Sequence, residues 1–215
     1  MNKTFILFDL DGTICDSREG IVHSIQHTLQ HYHIEVRDDE LLHLIGPPLR
    51  ESFQKYFGLN SDEAERATQI YRAHYSAQGI RENTLYPEIN SLLRNLREKG
   101  KVLLLATSKP TIYAKRILEQ HGLNDYFAFI AGAELDGSRD SKMLVIRYAL
   151  ENVKNLTLEQ AVMIGDREHD VLGAKAFDME SIGVLYGYGS EKELRDAGAD
   201  YLVQDVRGLN QLLAI

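Results

Sequence analysis

The sequence predicts an α/β protein: a doubly wound, parallel-sheet (Rossmann-like) core that carries an inserted α-helical cap. Three observations predict it. The second half of the chain alternates short apolar runs with helical segments, the pattern of a parallel sheet covered on both faces. One further apolar run, Phe5–Phe8, stands alone near the N-terminus. Between these parts, from about Ser17 to Ala77, apolar residues recur at helical spacing and no convincing strand occurs.

The elements follow in order. The first strand runs up to about Asp11. "IVHSIQHTLQHY" places Ile21, Val22, Ile25, Leu29 and Tyr32 on one helical stripe. "DDELLHLI" follows, with Asp38 or Asp39 as its N-cap. Gly46-Pro47-Pro48 breaks the chain and starts a new helix, since proline is tolerated in a first helical turn. "SDEAERATQIYRAHYSAQ" has Ser61 as its cap and carboxylates in its first turn, where they suit the helix dipole. Beyond Tyr86-Pro87, strands are expected at Val102–Thr107, Phe127–Ala133, Ala161–Asp166 and Ser181–Gly187, with a weaker one near Tyr201. Helices are expected at Glu88–Lys99, Thr111–His121, Lys142–Asn152, Val171–Phe177 and Glu191–Ala197. The expected division is a core of residues 1–15 and 86–215, and a helical cap of residues 16–85.

Composition narrows the function. The chain has 215 residues, 26% of them charged, with a formal net charge of −8. That balance disfavours non-specific attraction to nucleic acid or anionic lipid, so neither is expected as a partner. A single cysteine, Cys15, excludes an internal disulfide. The N-terminal apolar run is too short for a signal peptide or a membrane span, and the expected location is the cytoplasm. Oligomeric state is left at monomer or homodimer.

Ligands of doubly wound sheets bind at the carboxyl ends of the strands, so polar residues there should form one site. The first strand ends Asp9-Leu10-Asp11-Gly12-Thr13 and the second Thr107-Ser108-Lys109. The third leads to a loop with Arg139 and then Lys142, and the fourth ends in Asp166 with Asp170 four residues on. Residues i and i+2 of an extended chain share a side, so Asp9 and Asp11 should face one pocket. Asp166 and Asp170 converge if the chain turns helical between them. Four such carboxylates oppose one another's ionisation, and a divalent cation relieves that conflict. Oxygen donors without Cys or His favour Mg²⁺ over Zn²⁺. Lys142 and Thr107 supply a cation and a hydroxyl for an anion, and Gly12 allows close backbone approach to a phosphate. A carboxylate beside Mg²⁺ can attack phosphorus, while a second exchanges the proton.

These four motifs, in this order, resemble the haloacid dehalogenase superfamily of phosphatases, in the phosphoglycolate phosphatase-like group with a helical cap. The DxDGT motif is matched by Asp9–Thr13, the second-motif hydroxyl by Thr107, the third-motif lysine by Lys142, and GDxxxD by Gly165, Asp166 and Asp170. The resemblance covers essentially the whole chain. It implies Asp9 as nucleophile and Asp11 as acid/base. It implies Asp9, Asp166 and the main-chain carbonyl of Asp11 as Mg²⁺ ligands, with Asp170 a ligand either directly or through water. It implies a phosphate clamp of Thr107, the Ser108 N–H and Lys142, and a lid over the substrate formed by the insert. The expected activity is hydrolysis of a small phosphorylated metabolite through an aspartyl phosphate.

The chain departs from the group's usual TNK at Thr107-Ser108-Lys109, from KPxP at Lys142-Met143-Leu144, and at Arg167, where a small hydroxyl residue is common. Other readings are a β-phosphoglucomutase-type phosphomutase, a 5′-nucleotidase, and a regulatory protein that binds Mg²⁺ and a phosphorylated ligand. A dehalogenase would not need Asp11. Lys109 is open between a substrate contact and a structural role. Gly46, Pro47 and Arg50 either line the cap's substrate side or only break a helix. His23, His27 and His31 recur every four residues, a spacing that permits metal binding. They lie off the apolar stripe, so the reading taken is a solvated surface.

Overall fold

The computed structural model describes residues 1–213, apart from the side chain of Asp39. In chain order its elements are β1 (Phe5–Phe8), β2 (Cys15–Asp16), α1 (Arg18–Gln30), a 3-10 stretch (Asp38–Leu44), α2 (Leu49–Phe57), α3 (Ser61–Ala77) and β3 (Thr84–Leu85). Then come α4 (Ile89–Glu98), β4 (Val102–Pro110), α5 (Thr111–Gln120), β5 (Phe127–Ala133), α6 (Lys142–Asn152) and β6 (Ala161–Gly165). The chain continues with α7 (Glu168–Lys175), β7 (Glu180–Val184), α8 (Glu191–Ala197), β8 (Tyr201–Val203) and α9 (Val206–Leu213). Packing divides it into two units: Met1–Cys15 with the chain from Leu85 onward, and Asp16–Thr84.

The first unit is built on a parallel sheet in the order β5-β4-β1-β6-β7-β8. Parallel neighbours need long crossovers, which is why the strands alternate with helices. Both faces are covered, and every residue of β1 and β6 is buried. Leu7 pairs with Leu104 on one side and Met163 on the other, which sets the register of the three central strands. Phe5, Leu7, Leu104, Met163, Val145, Ile146 and Ala149 form a continuous apolar cluster between sheet and α6. From β1 the chain builds first toward β4 and β5, then back across β1 to β6, β7 and β8. That reversal leaves a crevice beyond the carboxyl ends of β1, β4 and β6.

The second unit is helical. Its α1 buries Ile21, Val22, Ile25 and Leu29, as the stripe predicts, and the Tyr32 hydroxyl donates to the Glu63 carbonyl at 3.0 Å. The cap of α3 is Asn60 rather than the expected Ser61. Its Oδ1 accepts from the N–H groups of Asp62 and Glu63 at 3.1 and 3.0 Å, and Glu63 returns a bond to the Asn60 N–H at 2.9 Å. An amide oxygen reaches both donors of the first turn, leaving Ser61 inside the helix. Pro48 caps α2, so the prolines precede that helix instead of forming its first turn. Arg37 holds the cap position before the 3-10 stretch, because the Asp38 carboxylate accepts from Gln26. The side chain of Asp39, the other expected cap, lies outside the described residues.

Other boundaries differ from expectation: β4 runs on to Pro110, three residues past Thr107, β7 stops at Val184, three residues short of Gly187, and α7 starts at Glu168 instead of Val171. The short strands β2 and β3 and the helix α9 are not expected from the sequence. No helix among the described residues is long and apolar enough to cross a membrane.

Leu7 is fully buried in the central strand. Leu7→Ala should cost about 2–5 kcal/mol of stability, through lost transfer free energy and an unfilled cavity. An unfolding free energy from urea titration that falls by less than a quarter of that would contradict this placement of the core.

Candidate active site

β1 delivers Asp9 to the crevice. The Asp9 N–H still bonds to the Ile164 carbonyl of β6, at 2.9 Å, and its Oδ1 accepts from the Leu10 N–H at 2.7 Å. Lys142, the first residue of α6, places Nζ 3.0 Å from Asp9 Oδ1, 2.7 Å from Asp170 Oδ1 and 2.9 Å from the Ala106 carbonyl of β4. A lysine at a helix start opposes the helix dipole. It is kept there because Lys142 belongs to the buried face of α6 with Val145, Ile146 and Ala149. Burial works against its charge, but the carboxylates of Asp170 and Asp9 outweigh it and raise its pKa.

Asp166 leaves the end of β6, and Asp170 sits in the first turn of α7, where Oδ2 accepts from the Arg167 N–H at 3.1 Å. The expected convergence therefore occurs: carboxylate oxygens of Asp9, Asp166 and Asp170 lie within 4.8 Å of one another, and all three residues are buried. Burial, and then the charges of Asp170 and Asp9, hold Asp166 well above the usual carboxylate range. Asp170 is pushed up to about 6 by burial, with Lys142 opposing and Asp9 adding to the rise. A buried group of three oxygen donors with one nearby ammonium suits a hard divalent cation, which these residues could hold.

The remaining expected residues divide. Asp11 does not join the three-carboxylate group. Its Oδ2 lies 3.0 Å from Lys109 Nζ, and its Oδ1 is buried with no hydrogen-bond donor among the described residues. The carboxylate is thus turned to a lysine of its own. Lys109 is buried beside it, so its position here is that of an ion-pair partner. Thr107 is buried, and its hydroxyl accepts from the Lys109 N–H at 3.2 Å; Ser108 between them is half-buried. Arg139 is spent on the β5–α6 loop, bonding the Gly132 carbonyl at 2.7 Å, pairing with Glu134 and lying 3.7 Å over the Tyr148 ring. Gly46, Pro47 and Arg50 belong to the helical unit, where Arg50 donates to Ser61 Oγ at 2.7 Å.

Sequence reasoning missed the residues that hold Asp166. Thr13 Oγ1 donates to Oδ1 at 3.2 Å and the Tyr188 N–H to Oδ2 at 2.8 Å. The Tyr186 hydroxyl donates to the Thr13 carbonyl at 2.9 Å. Backbone passes very close to this carboxylate. Gly12 has φ +78°, and a Cβ there would lie 2.2 Å from Asp166 Oδ2; one at Gly187 would lie 2.3 Å from the Asp166 Cβ. The signal is Gly187-Tyr188-Gly189, which follows β7 after two residues.

A model of the haloacid dehalogenase-like hydrolases matches residues 6–184. The chain belongs to this family. Among its relatives, a 5′-nucleotidase of Pseudomonas aeruginosa is 41% identical over 209 residues, 97% of this chain and 94% of that protein. The tyrosine-protein kinase PtkA of Mycobacterium tuberculosis is 45% identical over 185 residues, 86% of this chain but 62% of its own length. A phosphoglycolate phosphatase of Colwellia psychrerythraea is 28% identical across 93% of this chain and 92% of that protein. The crystal structure of a predicted phosphatase from Clostridium acetobutylicum superposes with a TM-score of 0.95 at 44% identity, covering 99% of this chain and 98% of that one. The chain is thus a phosphatase of the haloacid dehalogenase-like hydrolases, with the family's α/β fold, and such a phosphatase acts on a phosphorylated substrate.

A carboxyl pKa raised by folding favours the protonated form. Its stabilising contribution is full below the unfolded value and is lost as pH rises through the folded one. For Asp170 that loss runs from the ordinary carboxylate value, 3.8, up to about 6. A divalent cation competes with those protons. The thermal shift caused by adding the cation should therefore be small near pH 5 and should grow through about pH 6 toward neutrality. A shift independent of pH across that window would contradict the carboxylate assignment.

Proposed function

We propose that the chain is a Mg²⁺-dependent phosphomonoester hydrolase that acts on a small phosphorylated metabolite through an aspartyl phosphate on Asp9. The observation that carries this reading is the convergence of Asp9, Asp166 and Asp170 around the Lys142 ammonium. Asp9, Asp166, Asp170 and the Asp11 carbonyl would hold Mg²⁺, which would neutralise charge on the phosphate oxygens when bound. Asp9 Oδ1 is engaged by Leu10 and Lys142, which leaves Oδ2 to attack phosphorus. A bond forms from Oδ2 to phosphorus as the ester P–O bond breaks. Asp11 gives its proton to the leaving oxygen, then takes one from the water that cleaves the aspartyl phosphate and releases inorganic phosphate. Lys142, the Thr107 hydroxyl and the Ser108 N–H hold the phosphate, and Gly12 lets backbone approach it. In this reading residues 16–85 serve as the lid, and Gly46, Pro47, Arg50 and Lys109 are the residues to examine for substrate choice.

Nucleoside 5′-monophosphates are the first substrate class to test, because the relative named 5′-nucleotidase aligns over nearly the full chain. Phosphoglycolate comes second, on the more distant relative named for it. The likeness to PtkA supplies a further reading, transfer of phosphate to a tyrosine hydroxyl.

Phosphate release should appear with Mg²⁺ over a panel of nucleotides, phosphoglycolate and sugar phosphates, and should vanish with chelator. Asp9→Asn should lose turnover entirely while remaining folded. Asp11→Asn should lose about 10²–10⁴ in kcat, the range for a general acid. Undiminished release by Asp9→Asn would remove the nucleophile assignment. Phosphorylation of a tyrosine peptide by nucleoside triphosphate, with no release from any monoester, would favour the kinase reading.

A further inference from the structure

The helical unit holds a second cluster of chemistry-bearing side chains, made of nitrogen donors rather than oxygen. His27 and His31 are one turn apart on α1, and His74 comes from α3. The His27 ring centroid lies 5.0 Å from that of His31 and 4.3 Å from that of His74, with the second pair stacked. His27 and His74 are half-buried and His31 is exposed.

Hydrogen bonds set the tautomers of two of these rings. His31 Nδ1 lies 3.0 Å from the His27 carbonyl, which can only accept, so Nδ1 carries the proton. Ser24 Oγ gives its single proton to the Gly20 carbonyl at 2.7 Å and so must accept from His74 Nδ1 at 3.0 Å. In both rings Nε2 is therefore the lone-pair nitrogen. A backbone carbonyl or similar acceptor on the far ring nitrogen is the usual support of a metal-ligating histidine. Burial, and then the neighbouring imidazoles, hold the His27 pKa below its ordinary value, which keeps that ring available as a neutral donor. His23, one turn earlier on α1, is committed elsewhere, with Nδ1 2.8 Å from Glu82 Oε2.

We propose that His27, His31 and His74 form a binding site for a first-row transition cation such as Zn²⁺, Ni²⁺ or Cu²⁺, which ties α1 to α3. The i, i+4 pair supplies two imidazoles on one face, and α3 supplies the third. Among the described residues, the carboxylates of Asp9, Asp166 and Asp170 are the set whose ligand atoms already converge. The imidazole site therefore requires the His27 ring to turn off the His74 ring with which it stacks. The two sites then divide cations by chemistry: oxygen donors for a hard ion, imidazole for a softer one. The proposal does not depend on the hydrolase reading.

Copper resonance tests it, because nitrogen couplings separate imidazole from carboxylate ligation. The full chain, with Mg²⁺ in excess, is titrated with Cu²⁺. One equivalent should bind with nitrogen couplings. His27→Gln, His31→Gln and His74→Gln should each weaken that binding by about tenfold or more, and Ser24→Ala by about tenfold through loss of the His74 support. His23→Gln should leave it unchanged. Circular dichroism of each variant confirms that it is folded, and exposed His31 is the substitution least able to disturb packing. An oxygen-only spectrum, or nitrogen couplings that persist in all three glutamine variants, would overturn the proposal.

Discussion

The Lys142 ammonium lies within 3.0 Å of Asp9 Oδ1, Asp170 Oδ1 and the Ala106 carbonyl. One charge thereby links the end of β1, the middle of β4 and the first turn of α7 to the start of α6. The rest of the site depends on this contact. Without it, three buried carboxylates would face one another with no compensating charge, and such uncompensated burial costs several kcal/mol. The ion pairs do not make the site free of strain. Burial first, and then neighbouring carboxylate charge, hold the pKa values of Asp166 and Asp170 above the ordinary range. A divalent cation held by these carboxylates would offset that cost.

Asp166 shows how close packing enforces the arrangement. Its two oxygens are fixed by Thr13 and by the Tyr188 N–H, and the Tyr186 hydroxyl in turn anchors the Thr13 carbonyl. These partners come from two segments far apart in sequence, the turn after β1 and the loop after β7. Gly12 and Gly187 let both backbones come within contact of one carboxylate, where any side chain would collide. Tyr186 is half-buried, and burial followed by the nearby Asp166 charge raises its pKa, so its hydroxyl stays a donor. The Asp9–Asp11 pair resolves in a related way. Each carboxylate has its own lysine, Lys142 or Lys109, which gives chemically similar neighbours different surroundings and so permits different roles.

Much of the fold was legible because its signals are local. Apolar runs bounded by polar residues located β1, β4, β5 and β6, and strand–helix alternation implied their parallel pairing. The errors cluster at boundaries, where neighbouring side chains compete for the same donors. Asn60 displaced Ser61 as the cap of α3 because its amide oxygen reaches two N–H groups at once. Asp38 does not cap its segment because Gln26 takes its carboxylate. Arg139 looked like a site residue from its place in the β5–α6 loop. Its guanidinium is held by Gly132, Glu134 and Tyr148 instead, a choice no linear pattern shows.

By itself, the sequence determined the α/β class, the helical insert, and the convergence of Asp9, Asp166, Asp170 and Lys142 at strand ends. These follow from periodicity and from the rule that places sites at the carboxyl edge of a doubly wound sheet. Only the tertiary structure decided that Asp11 turns to Lys109, that Thr13 and the Gly187–Gly189 loop secure Asp166, and that His74 stacks on His27. Each of those contacts joins residues whose separation along the chain carries no periodic signal. Their meeting is set by sheet order and helix packing, which exist only once the chain has folded.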